Sequence, residues 1–193
     1  MHFSWPRLFP LSAVVLVAAS VLYPGFVYIG RAIVPPTAFV AVALAMIGLR
    51  LATLRSPMQR VWRAPLVAGA TTIAALAMLD TPLAVKAYPA AISLAAATVF
   101  GATLLHPPSL IERFARLRDP ELSPTAHSYC RKVTIVWTVW LSANTIISAI
   151  LAIPGNDTAW ALWTGLVSYM IMGALFAGEI AVRRLVHRGP AKT

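Results

Sequence analysis

The side chains best suited to bind a ligand in this chain are polar groups inside its last two long apolar stretches. Asn144 falls near the middle of one stretch and Tyr169 near the middle of the next, so a hydrogen bond between them across a helical hairpin is predicted. Polar groups are costly to bury in lipid unless they find partners. The pair therefore indicates either a link between two membrane helices, where such bonds average about 0.6 kcal/mol, or a polar lining for a lipid headgroup.

Glu179 is the one acidic residue inside an apolar stretch, and it lies one helical step (i,i+4) before Arg183. Near the end of a membrane helix, water and Arg183 can reach the carboxylate and lower the cost of its burial. One interpretation is an ion pair that sets the depth of the last helix. The other is a carboxylate that binds a proton or orients a ligand. Asn144, Tyr169, Glu179 and Arg183 are thus the candidate lipid-binding residues.

The motifs of common enzymes and metal sites are absent from the sequence. The four histidines form no HExxH or HxxxH pair, and neither GxxxxGK[ST] nor GxSxG occurs. His106, His127 and Cys130 could meet in one loop, but their spacing matches no zinc motif. Cys130 is the only cysteine, which excludes an internal disulfide. We therefore predict no catalytic residue, no metal and no cofactor, and a protein without chemistry of its own is favoured over an enzyme.

The composition is typical of an integral membrane protein. Hydrophobic residues make up 59% of the chain and charged residues only 11%, with a mean hydropathy of +0.76, whereas soluble domains carry roughly 25% charged residues. Since lipid offers the backbone no hydrogen-bonding partner, the segments that cross it should be helices. The apolar stretches also lack the alternating polarity of β-barrel strands. The sequence therefore predicts an all-α fold, a polytopic bundle of membrane helices.

Six stretches are long enough to cross a bilayer, which takes about 20 helical residues. They are residues 8–29, 36–54, 61–79, 83–105, 133–153 and 158–182. The third and fourth are the weakest, because Pro65, Pro82 and Pro89 could shorten them, and five spans with a half-helix are the alternative. The first stretch follows Arg7 as in a signal peptide, but its apolar character continues to Ile29, so a retained helix is predicted. Residues 1–193 are expected to form a single membrane domain.

The positive charges predict the orientation of these helices. Of the 16 Lys and Arg residues, 14 lie before the first stretch, after the last, or in or within about one helical turn of every second gap between; the exceptions are Arg31 and Lys86. Because cations collect on the cytoplasmic side, both termini are predicted in the cytoplasm of a bacterial inner membrane. Arg50, at the inner end of the second stretch, is expected to reach toward the lipid headgroups. The net charge of +10 thus reflects topology, and no basic stripe with exposed aromatic residues indicates nucleic acid.

The longest polar segment, residues 106–132, is predicted to lie in the cytoplasm and to contain a short amphipathic helix over residues 110–118. Ser109 and Glu112 have the spacing of a capping box, and Glu112 with Arg116 forms an i,i+4 pair. A second helix is predicted to begin at Ser123-Pro124 and to run into the fifth stretch. The amphipathic helix suits a position flat in the membrane interface or a docking surface for cytosolic enzymes, and the two roles are compatible. The docking candidates are Arg113, Phe114, Arg116, Tyr129 and Arg131.

The carboxy-terminal half resembles a family of small bacterial inner-membrane proteins. The similarity covers residues 110–188. It consists of Glu112-Arg113-Phe114-Ala115-Arg116-Leu117 with Asp119-Pro120-Glu121-Leu122, Tyr129-Cys130-Arg131-Lys132-Val133-Thr134 with Val136-Trp137, Asn144, and the closing series from Trp163 through Gly178-Glu179 to Arg183-Arg184. Members are encoded among genes for aryl-polyene (xanthomonadin-like) pigment lipids, beside ketosynthases, dehydratases, acyl carrier proteins and acyltransferases. The resemblance implies a role in such a pathway and assigns no catalytic residue.

Three functions follow from these features, all in contact with membrane lipids. The leading one is an accessory scaffold that recruits cytosolic acyl-chain assembly enzymes or acyl carrier protein through residues 106–132. The alternative is a small transport or flippase subunit that moves an acyl or polyene lipid along a polar path at Asn144, Tyr169 and Glu179. The third is a membrane enzyme that acts on a lipid.

Overall fold

The computed structural model describes residues 11–117, 119–153 and 156–187, with side chains described from residue 15 to residue 182 of these ranges, 57 and 58 excepted. Every regular element in these ranges is helical, and no strand occurs among them, which confirms the all-α prediction. The predictions that concern Arg7 and Arg118 fall outside the described residues.

The helices follow the order of the predicted stretches. They are α1 (Leu11–Gly30), α2 (Pro36–Thr53), α3 (Pro57–Arg60), α4 (Arg63–Leu79), α5 (Thr81–Leu105), α6 (Leu110–Arg116), α7 (Pro124–Ala152), α8 (Asp157–Leu162) and α9 (Ser168–His187), with a π-helical segment, Trp163–Val167, joining the last two. The predicted amphipathic helix corresponds to α6, which ends at Arg116, and the predicted fifth span is the carboxy-terminal part of the longer α7.

Among the described residues, four helices are long and apolar enough to cross a membrane: Pro36–Thr53, Thr81–Leu105, Pro124–Ala152 and Asp157–Val182. Two shorter apolar helices, Val15–Gly30 and Arg63–Leu79, occupy the first and third predicted stretches. At about 1.5 Å per residue α4 reaches about 25 Å, somewhat less than the roughly 30 Å of bilayer hydrocarbon. The part of the chain that the structure describes therefore has four candidate spans, as in a helical membrane protein.

Prolines do not break the third and fourth stretches, because they stand where helices tolerate them. Pro65 lies in the first turn of α4 and Pro82 in the first turn of α5, where a missing amide hydrogen removes no helical bond. Pro89 lies inside α5, which still continues as one helix for 25 residues. The two helices are separated at Asp80, whose carboxylate caps α5 by accepting a bond from the Leu83 amide at 3.0 Å.

The two helix starts predicted in the polar loop have different outcomes. Ser123 caps α7, which runs unbroken for 29 residues as predicted. The predicted capping box at Ser109 is wrong, since Ser109 makes no capping bond. The Glu112 carboxylate instead accepts hydrogen bonds from Arg116 and His127, each at 2.8 Å. The predicted i,i+4 pair between Glu112 and Arg116 is thereby confirmed.

Helix α5 lies at the centre of the bundle, with α4 on one side and α7 on the other, while α2 packs against α4 and α5. Small residues allow the close approach of α4 and α5: a Cβ added at Gly69 would lie 3.5 Å from the Cβ of Ala91. The core beneath is aromatic and aliphatic and includes Tyr23, Ile47, Ile73, Tyr88 and Trp160. Many large apolar side chains face outward, as expected for a surface in contact with lipid.

Candidate functional site

A cleft of about 270 Å³, open on one side, lies between α1, α2, α5, α7 and α9. Its walls are apolar side chains, interrupted by a group of polar ones. We call it the central cleft and define it by these polar residues: Ser20, Arg50, Tyr88, Ser93, Asn144, Ser148, Thr164, Ser168 and Tyr169. Its volume is close to the lower end of the range for small-molecule sites, roughly 300–1,000 Å³.

Arg50 points into the central cleft and not toward headgroups, so the snorkelling prediction is wrong. Its Nη2 donates a hydrogen bond of 2.7 Å to the Ser20 hydroxyl. The last residue of α1 and the first residue of α2 lie at the same end of the bundle. At about 1.5 Å per residue, Arg50 lies about 21 Å along α2 from that end, and Ser20 lies about 15 Å along α1 from it. The guanidinium is therefore directed back toward the middle of the bundle, where the serine hydroxyl offers an acceptor.

Ser20 connects Arg50 to Tyr88 through one oxygen atom. The Ser20 hydroxyl donates its only hydrogen to the Leu16 carbonyl at 2.7 Å. The Tyr88 hydroxyl, 3.0 Å away, must then be the donor in its bond with Ser20. Arg50 Nε is buried and has no hydrogen-bond partner. The serine oxygen is thus fully used, whereas the guanidinium keeps unused donor capacity beside the cleft.

Asn144 links three helical segments in the opposite wall of the central cleft. Its Nδ2 donates to the Ser93 hydroxyl of α5 at 3.1 Å, and its Oδ1 accepts from Trp163 Nε1 at 3.0 Å. The predicted bond between Asn144 and Tyr169 is therefore wrong, because both ends of the amide are taken by other partners. Tyr169 does line the same cleft. Two of the four candidate lipid-binding residues are thus brought together.

The other two candidates lie away from the central cleft. Glu179 is ten residues beyond Tyr169 on α9, which is about 15 Å at about 1.5 Å per residue, and it is partly exposed. The side chain of Arg183 lies outside the described residues, so its predicted ion pair with Glu179 stays a prediction.

A second cavity of about 390 Å³ lies where α1 ends and where α2, α5 and α8 begin. At its rim, Arg31 and Lys86 both form ion pairs with Asp157, and we call it the Asp157 cavity. Lys86 is largely buried, with 14% of its side chain exposed. These two cations are the ones that the charge pattern assigns to the outer side. The structure brings them to one end of the bundle and joins them through a single carboxylate.

One layer of tyrosine side chains lies between the two cavities. Along α1, Tyr23 stands between Val27 of the Asp157 cavity and Ser20 of the central cleft. Its ring packs on Tyr88, with 4.8 Å between ring centroids, and its hydroxyl is 3.1 Å from the Val85 carbonyl. The two cavities are therefore stacked along the same helices and divided by the Tyr23–Tyr88 pair.

The docking candidates in and beside the polar loop, residues 106–132, are largely engaged in internal bonds. Arg113 donates to the carbonyls of Pro108 and His106, at 2.9 and 3.2 Å. Arg131 donates to a carbonyl near the end of α5 at 3.0 Å, and Arg116 bonds Glu112. Phe114 is about half exposed, at 49%, and Tyr129 is partly exposed. These bonds engage the three guanidinium groups within the protein itself, which weakens the case for them as a docking surface.

Glu112 is the electrostatic centre of this loop. Burial raises the pKa of its carboxyl group, but the hydrogen bonds from Arg116 and His127 outweigh this effect, so the pKa lies below its ordinary value. His127 on α7 is thereby tied to α6. Cys130 is buried, and within the described ranges no group of three His, Cys, Asp or Glu residues could hold a metal ion.

The protein was compared with family models, with curated proteins and with solved structures. None of them matches.

Sequence reasoning missed the residues that dominate the central cleft: Arg50, Ser20, Tyr88 and Ser93. Each stands singly in an apolar stretch, so nothing local separates a cleft residue from one that faces lipid. The same holds for Arg50, which lies in the last turn of α2, where a cation that reaches the headgroups would also lie.

Proposed function

We propose that the protein is a multi-pass protein of a bacterial inner membrane, with six membrane helices and both termini in the cytoplasm. The charge asymmetry supports this orientation. So does the meeting of Arg31, Lys86 and Asp157 at one end, since the alternating topology assigns all three to the outer face. In this topology, α1 and the short α4 complete the bundle together with the four candidate spans.

We further propose that it takes an acyl lipid from the bilayer into its interior and moves it across the membrane. The observation that carries this proposal is the series of two cavities, the central cleft and the Asp157 cavity, along the same helices. A protein that only docked enzymes would need no interior space. The scaffold role stands second, because Arg113, Arg116 and Arg131 already bond groups of the protein itself.

The pathway proposed for this lipid is the assembly of aryl-polyene-type lipids, and the proposed partners are acyl carrier protein and acyl-chain assembly enzymes. This part depends on the resemblance of residues 110–188 alone. The lipid-moving role does not depend on it.

The test is a lipid-translocation assay with the purified protein in liposomes. A fluorescent acyl lipid is placed in both leaflets, and dithionite, which does not cross the membrane, quenches the outer one. We expect liposomes with the protein to lose the inner-leaflet fluorescence too. Ser148 is fully buried and lines the central cleft, so Ser148→Leu should fill the cleft and slow this loss several-fold.

Ala149→Leu is the matched control, since Ala149 is the next residue of α7 but faces outward. It should leave the rate unchanged, and the thermal stability of both variants verifies folding. Equal quenching in liposomes with and without the protein would refute transport. If both variants slowed the loss of inner-leaflet fluorescence equally, this would show that transport does not depend on the central cleft.

A further inference from the structure

Arg50 differs from the other arginines whose side-chain bonds are described. Those arginines bond carbonyl oxygens, as Arg113 and Arg131 do, or a carboxylate, as Arg31 and Arg116 do. Arg50 bonds only the neutral hydroxyl of Ser20. No acidic side chain among the described residues forms an ion pair with it. An arginine needed only to join helices would be expected to have the stronger acceptors that the others have.

The donors of Arg50 remain available on the side of the cleft. A guanidinium is always charged and carries five N–H donors in one plane. Nη2 uses one of them on Ser20, and Nε is buried with no partner. Because an unpaired charge is costly inside a membrane, it is expected to mark a site for an oppositely charged group.

The surroundings of Arg50 suit an amphiphile better than a free ion. Hydroxyl groups of Ser168 and Tyr169 line the same cleft, together with apolar side chains such as Ile92 and Met172. The hydroxyls can donate to an anion beside the guanidinium, and the apolar walls can hold an alkyl chain. The combination fits a charged head attached to a hydrophobic tail.

We propose that Arg50 binds the anionic headgroup, a carboxylate or a phosphate, of an acyl lipid whose chain lies in the central cleft. This inference rests on the proposed entry of a lipid into the cleft and adds the charge of its headgroup. The headgroup replaces the missing counter-ion, and the planar guanidinium binds two of its oxygens at once.

The test is photo-crosslinking in nanodiscs with two probes of equal chain length, each with a diazirine on the chain. One is an alkyl phosphate and the other is the corresponding alcohol. Labelling of the α9 peptide that carries Ser168 and Tyr169 is quantified by mass spectrometry. We expect the phosphate to label it at least about tenfold more than the alcohol, because hydrogen bonds to charged groups have that effect on affinity.

Arg50→Gln should abolish this preference, and Arg50→Lys should retain part of it because it keeps the charge. Arg55→Gln is the control: it removes the same charge from an exposed side chain nearby and should leave the preference unchanged. Thermal unfolding in the same nanodiscs shows whether each variant is folded. A folded Arg50→Gln protein that still prefers the phosphate overturns the proposal.

The remaining outcomes separate this inference from the proposed function. Equal labelling by the two probes in the unmodified protein overturns anion recognition but leaves lipid entry intact. No labelling of the cleft by either probe overturns both. In a competition experiment, millimolar inorganic phosphate should displace the labelled probe less effectively than unlabelled alkyl phosphate does. Equally effective competition shows a site for a free anion and overturns the proposal that the site binds a lipid headgroup.

Discussion

Replacing Asn144 by leucine should destabilise the bundle by more than any single hydrogen bond within it. Leucine has nearly the shape of asparagine, so the change removes polarity without creating a large cavity. Two bonds are lost, to Ser93 and from Trp163. Ser93 keeps a partner because its hydroxyl also donates to the Leu141 carbonyl at 3.1 Å. The indole N–H of Trp163 is left without one.

The expected loss follows from these three contributions. Two side-chain bonds in a membrane protein contribute about 0.6 kcal/mol each. The Trp163 N–H is partly buried, so leaving it without a partner costs about 1 kcal/mol, the lower end of the range for buried donors. Asn144→Leu should therefore lower the free energy of unfolding by about 2 kcal/mol. The assay is reversible unfolding in mixed micelles. Thr145→Ala is the control, because the Thr145 hydroxyl bonds only its own helix and should cost much less.

A double-mutant cycle tests the reasoning further. Trp163→Phe removes the indole N–H that Asn144→Leu leaves without a partner. It should therefore lower the free energy of unfolding less in the Asn144→Leu variant than in the unmodified protein. The coupling energy should be about 1–2 kcal/mol, within the range for residues in contact. Additive effects, or a loss in Asn144→Leu no larger than in Thr145→Ala, would show that the network does not hold α5, α7 and the π-helical segment together.

Two further predictions concern the loop and the topology. The pKa of the Glu112 carboxyl group is lowered in the folded protein. Its carboxylate therefore stabilises the α6–α7 contact fully at pH values above its ordinary pKa of 4.5. This stabilisation is lost as the pH falls through the lower folded-state pKa. Amide exchange of residues 110–116, relative to a Glu112→Gln variant, should therefore rise only on acidification, and an equal response in both proteins would exclude Glu112 as the cause. For the topology, Cys130 is the only cysteine, so Cys130→Ser allows single cysteines at Asn156 or Ser123. A membrane-impermeant maleimide added to intact spheroplasts should label Asn156→Cys and spare Ser123→Cys, and the reverse pattern would refute the orientation.

The sequence predicts well whatever depends on neighbouring residues or on long apolar runs. The helices lie where the runs lie, because lipid leaves the backbone no other partner. Ser123 caps α7, and Glu112 pairs with Arg116, since both interactions span three or four residues of one chain segment. The Ser109 box failed because His127, fifteen residues away, competes for the same carboxylate.

The candidate site was only half predictable, because its members come from different helices. Asn144 was recognised as buried and polar, but its partner on α5 depends on which helix lies beside α7. The direction of Arg50 depends on Ser20, 30 positions away in the sequence. The pairing of Arg31 and Lys86 with Asp157 likewise joins three distant segments. Spacing in the sequence carries no information about such contacts.

The different depths of the cationic groups have an electrical consequence. Ser20, which holds Arg50, and Arg31 at the Asp157 cavity are about 16 Å apart along α1, about half of a hydrocarbon core of about 30 Å. In the proposed orientation, an anion that moves from the first position to the second travels away from the negative interior of the cell. At about 2.3 kcal/mol per charge for a full crossing at 100 mV, this step releases about 1 kcal/mol. The resting potential would then favour export severalfold, without an ATP-hydrolysing partner.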